Sequence, residues 1–97
     1  MKFKYTIPYV DDVAATLDFF ERAFGFRRKM LHESGDYGEL DTGETTLSFT
    51  SRSLMKTLGK SPGRANPAEP VFEVAFETDD VAGAVSYTHL TLPTSDL

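Results

Sequence analysis

The sequence contains no cysteine, which excludes disulfides and thiolate metal sites and leaves the redox compartment open. Histidine is almost as scarce. His32 and His89 are the two present, and neither has a His or Cys neighbour at ligand spacing. His32 therefore reads as a surface or half-buried imidazole. Basic residues are outnumbered, ten Lys and Arg against fifteen Asp and Glu, so the chain lacks the basic face that nucleic acid requires. No apolar run approaches the ~20 residues of a membrane span. Met1-Lys2-Phe3-Lys4 leads into alternating residues and not into the apolar core of an export signal. The expectation is a cytoplasmic protein with neither nucleic acid nor membrane as partner. A Gly-rich phosphate loop is missing too, and no Ser-His-Asp arrangement follows from spacing.

What is present is a chain of 97 residues, 40% hydrophobic, enough for one small globular domain. Phe3, Tyr5, Ile7 and Tyr9 alternate with Lys4, Thr6 and Pro8, the period of a strand. Pro8 lacks a ladder donor and belongs at a strand end or edge. Asp11 or Asp12 then caps a helix, its charge matched to the positive end of the helix dipole. Val13, Leu17, Phe20 and Phe24 step by four, three and four along one helical face, and Gly25 is a left-handed stop. Three further strands are expected over Phe26 to Glu33, Tyr37 to Leu40 and Thr45 to Thr50. In the first of them, Met30 and His32 take one face and Lys29, Leu31 and Glu33 the other. Arg27-Arg28-Lys29 reads as a solvated strand edge that discourages aggregation. Ser53 to Leu58 suggests a helical turn, and Pro62, Gly63, Pro67 and Pro70 mark a linker.

The opening then recurs. Asp11-Asp12-Val13-Ala14 returns sixty-eight positions later as Asp79-Asp80-Val81-Ala82, and the same offset lays Tyr5 on Glu73 and Leu17 on Val85. A strand-cap-helix unit used twice indicates a duplicated module. The second copy opens with a strand over Val71 to Glu77 and a helix from about Asp80.

This order, the restart after a Pro-rich connection, and the run from Val10 to Phe26 resemble the vicinal oxygen chelate superfamily, the glyoxalase, bleomycin-resistance and dioxygenase type. Leu17-Asp18-Phe19-Phe20 and Phe24-Gly25-Phe26 carry the likeness most specifically. The resemblance implies an α+β fold of βαβββ modules whose sheets cup a cavity, commonly in a homodimer. It divides the chain into a first module over 1–52, a linker over 53–70, and the start of a second, truncated module over 71–85. Residues 86–97 depart from the family pattern and read as a non-family tail: Pro93 falls where a helix should end, and three threonines oppose helical continuation.

The family's metal ligands resemble a His or Glu on the first strand of each module and a Glu on the last. Those positions carry Tyr5, Ser48 and Glu73. Tyrosine and serine hydroxyls are poor ligands beside imidazole and carboxylate, so only Glu73 suits zinc, nickel or manganese. The expectation is no metal cofactor. Alternation places Leu47 and Phe49 under the helix and Thr46, Ser48 and Thr50 on the cup, together with Tyr5, Ile7 and Tyr9. On the next strand Phe72, Val74 and Phe76 go to the helix side and Glu73, Ala75 and Glu77 to the cup. Taken from alternation alone, Glu73 and Glu77 also read as solvated residues on a one-sided sheet. The expected function is binding of a small, partly aromatic ligand by Tyr5, Ile7, Tyr9, Thr46, Ser48, Thr50 and Glu73, without a metal. The alternatives are a metal-dependent lyase or isomerase of glyoxalase type with atypical ligands, and a non-catalytic interaction module.

Overall fold

A computed structural model describes residues 1–78. The second-copy motif at Asp79 to Ala82, the second helix, His89 and the expected tail lie outside the described residues.

The first strand forms in two pieces, β1 (Tyr5–Thr6) and β2 (Tyr9–Val10), rather than as one run. Pro8 is the cause, since it offers no N–H to a ladder. Its carbonyl still accepts from the Thr50 N–H at 3.2 Å, so the pieces remain in line. Asp12, not Asp11, caps the helix α1 (Val13–Phe24), accepting from the Ala15 N–H at 3.0 Å. Gly25 ends it with φ 75°, a left-handed conformation, its N–H bonded to the Glu21 carbonyl. That is the stop expected at this position.

Three antiparallel strands follow: β3 (Arg27–Leu31), β4 (Tyr37–Asp41) and β5 (Thr46–Ser51). They join one five-stranded sheet ordered β1-β5-β4-β3, with β2 also paired to β5. Both β1 and β2 run parallel to β5. Parallel pairing needs a crossover, which α1 supplies together with the β3–β4 hairpin. A short helix α2 (Arg52–Thr57) follows directly, capped by the Ser51 hydroxyl.

The core lies between α1 and one sheet face. Val13, Leu17 and Phe20 meet Val10, Leu40, Leu47 and Phe49, all at most 6% exposed. Phe20 stacks on Phe49 with ring centroids 5.3 Å apart. Gly38 lies directly beneath Leu17, where a Cβ would come within 2.6 Å of Leu17 Cδ1. The glycine lets the helix approach the sheet.

Two further expectations are corrected. The register shifts between Arg28 and Met30, so simple alternation fails there. Lys29, expected beside Leu31, instead reaches Glu39 on the opposite face, Nζ to Oε1 3.9 Å. Residues 71–78 form no strand; all are exposed. A strand persists only when a neighbour takes its backbone groups, and this segment crosses the helix end instead. Phe76 packs on Phe24 and Phe26, centroids 5.2 and 4.8 Å away, which is the helix side that alternation indicates.

Candidate functional site

Alternation fixes what the other sheet face carries. Leu47 and Phe49 point into the core, so Thr46, Ser48 and Thr50 point away from α1. Register then adds their neighbours. Tyr5 pairs with Thr46 and Tyr9 with Thr50. Across β4, Glu39 pairs with Ser48 and Tyr37 with Thr50, and Met30 pairs in turn with Glu39. Ile7 sits between the two short strands, 42% exposed.

The floor of this face is polar and buried. Glu39 is 8% exposed, Ser48 0% and Thr50 5%. Tyr37 donates its phenol O–H to Glu39 Oε2 at 2.7 Å. Burial raises the Tyr37 pKa above its ordinary value, and the Glu39 carboxylate that accepts its proton raises it further. The nearby Ser48 hydroxyl pulls the other way, yet its geometry falls short of a hydrogen bond. Ser48 Oγ is buried with no partner. Tyr5 also lies near enough to act on the Tyr37 phenol through space.

Sequence reasoning missed Tyr37 and Glu39. The signal was available, because Tyr37-Gly38-Glu39-Leu40 alternates as clearly as Thr46 to Thr50. With Leu40 inward, Tyr37 and Glu39 face the cup. The Lys29 contact had no such signal, since it depends on the register shift.

The seven residues expected to bind a ligand are not brought together in one cavity. Glu73 borders a cleft of ≈ 490 Å³ with Thr6, Thr45, Thr46 and the chain from Phe72 to Glu77. Tyr9 borders a second of ≈ 490 Å³, between Pro8, Arg52 and residues 63–72. Tyr5, Ser48 and Thr50 share the sheet face but border neither cleft. His32 is exposed, with Nδ1 2.8 Å from Ser34 Oγ.

The sequence profile of the glyoxalase/bleomycin resistance protein/dioxygenase superfamily matches residues 2–93. The chain belongs to that superfamily. No protein of curated function matches it. Among solved superfamily-like structures, a possible glyoxalase from Bacillus cereus is 17% identical with a TM-score of 0.61, over 90% of this chain and 68% of that one. Lactoylglutathione lyase from Agrobacterium tumefaciens is 21% identical with a TM-score of 0.54, over 90% and 65%. A glyoxalase/bleomycin resistance protein/dioxygenase family enzyme from Burkholderia phytofirmans PsJN is 20% identical with a TM-score of 0.50, over 68% and 56%. This superfamily member thus spans about two thirds or less of those chains. At such identities the likeness is one of fold.

An ion at the positions the superfamily resemblance implies would meet the Tyr5 phenol, the Ser48 hydroxyl and the Glu73 carboxylate. Phenols and aliphatic hydroxyls are not ordinary ligands for zinc, nickel or manganese. Glu73 lies in a cleft with Thr46 and not with Ser48. Among the described residues, no three of His, Cys, Asp and Glu group closely enough to hold an ion. The donors among the described residues do not fit a metal. Among the described residues, no helix is long and apolar enough to cross a membrane.

Proposed function

We propose that this superfamily member binds a small, partly aromatic organic ligand on the sheet face away from α1, without a metal. The carrying observation is a buried polar floor, Glu39, Ser48 and Thr50, beside the part-exposed rings of Tyr5 and Tyr9. Apolar and aromatic walls with a few oriented polar groups are the usual makeup of a small-molecule site. Tyr5 and Tyr9 offer stacking surface, and Thr46, Ser48 and Thr50 offer hydroxyls that either donate or accept. Glu73, brought over Thr46, would close one side.

The test is amide NMR on isotope-labelled protein titrated with mono- and bicyclic aromatic compounds, with and without EDTA. The expected shifts fall on residues 37–39 and 46–50, survive EDTA, and weaken in Tyr5→Ala and Tyr9→Ala. Shifts that vanish with EDTA and return with zinc would overturn the metal-free reading in favour of a metal-dependent site. No shifts on this face would overturn the reading.

A further inference from the structure

We infer that Glu39 and Ser48 together form a hydroxyl-recognition pair, which selects an aromatic ligand bearing a phenol or alcohol group over one bearing a carboxylate. This rests on the ligand-binding reading above and names the ligand's chemistry.

The two residues are register partners on neighbouring strands and face the same side of the sheet. Their hydrogen-bonding capacities are complementary and unequal to what surrounds them. Glu39 Oε2 accepts from Tyr37. Oε1 has only the Lys29 ammonium at 3.9 Å, beyond hydrogen-bond reach, on a side chain 55% exposed. That oxygen keeps open acceptor positions. Ser48 Oγ is buried and makes no hydrogen bond of ordinary geometry, with the Tyr37 phenol its nearby polar neighbour. Buried hydroxyls are almost always satisfied, and one left alone points to a group that arrives from elsewhere.

A hydroxyl is the simplest group that completes both residues. It donates its proton to Glu39 Oε1 and accepts one from Ser48 Oγ. A methyl ether only accepts and leaves Glu39 unserved. A carboxylate brings a second negative charge against a buried one, which disfavours it in a site of low dielectric. Tyr37 holds its own proton on Glu39, so it does not compete for Oε1. The approach passes Tyr5, 46% exposed on the edge of the sheet, whose ring can move by a rotamer change.

The test uses phenol, anisole and benzoate as probes on the full chain in EDTA, read by amide NMR at residues 39 and 48. Phenol is expected to bind about fivefold more tightly than anisole, the worth of one good hydrogen bond. Benzoate is expected to bind more weakly than either. Ser48→Ala should weaken phenol and anisole alike, since both accept from Ser48 Oγ, and leave the preference between them standing. Glu39→Gln keeps the shape and a neutral acceptor, and should reduce the preference without erasing it. Equal binding of phenol and anisole to this face, or tighter binding of benzoate, would overturn the hydroxyl assignment while leaving a ligand site standing. Failure of all three probes to shift the face would overturn the ligand-binding reading with it.

Discussion

Asp11 and Arg52 stand 41 positions apart in the chain and 2.8 Å apart in the fold, Oδ1 to Nη1. The Arg52 side chain is 5% exposed and that of Asp11 is 36%. Arg52 also donates Nε to the Gly63 carbonyl at 3.2 Å, and Arg64 reaches Asp11 Oδ2 at 2.5 Å. The helix entry, the end of β5 and the Pro-rich linker are thereby tied at one carboxylate. This explains why Asp12 rather than Asp11 caps α1.

Removing Asp11 takes from a buried guanidinium a counter-charge that stands 2.8 Å away. Because Asp11 is itself about one-third exposed, the full cost of a broken buried pair is reduced by solvent. Asp11→Ala is expected to destabilise the protein by about 2 kcal/mol, and Arg64→Ala, at an exposed pair, by at most about 1 kcal/mol. Urea unfolding of both variants checks this. Equal losses would show that the Arg52 contact contributes no more than the surface one.

Gly38 supplies a second test. Its added methyl would meet Leu17 Cδ1 at 2.6 Å and Val13 Cγ1 at 3.1 Å, both in the closed core. Leu17 is fully buried and has little room to turn aside. Gly38→Ala should cost about 1–3 kcal/mol through overpacking. A variant as stable as the parent would mean that α1 lies farther from the sheet than described.

Much of this fold was legible, and the misses share a cause. The stripe of Val13, Leu17 and Phe20, the Gly25 stop and the inward Leu47 and Phe49 follow from local periodicity, which the core then uses unchanged. The α+β architecture and the superfamily were legible from the same stretch. The single first strand was not, because Pro8 breaks a ladder that its flanking residues could have filled. Lys29 was misplaced because a register shift is a property of two strands and leaves no mark in one. Val71 to Glu77 has a strand's alternation, and Phe76 keeps its side, but the segment lacks a pairing neighbour among the described residues. The site was partly legible: Ser48 and Thr50 were placed by alternation, whereas Tyr37 and Glu39 were available to the same logic and passed over.

Tyr37 gives a pH dependence. Burial, with the bond to Glu39 second, raises its pKa above the ordinary 10.0. An acid whose folded pKa is raised binds its proton more tightly folded than unfolded. Its contribution is full below the unfolded pKa and is lost as pH climbs from there through the folded value. Stability should therefore fall from about pH 10 upward, and Tyr37→Phe should fall less steeply over that range. Urea midpoints from pH 8 to 11.5 measure it, with phenolate absorbance following the titration. An identical alkaline slope in both proteins would remove Tyr37 as its source.

Ser48 reverses the usual expectation for a buried substitution. Its Oγ is buried and makes no hydrogen bond of ordinary geometry in exchange for water. A buried polar group without a partner costs about 1–3 kcal/mol, and deleting it recovers that cost less the small packing contribution of one atom. Ser48→Ala should thus be as stable as the parent or more so, by up to about 2 kcal/mol in urea. Ser48→Val would not test this, because it adds volume on a fully buried residue and mixes overpacking with the loss of the hydroxyl. The gain should shrink when phenol is present at saturating concentration, since the parent's hydroxyl is then satisfied and the variant's advantage disappears. A loss of stability in Ser48→Ala without ligand would show that Oγ already has a partner, and would remove the reason for expecting one to bind.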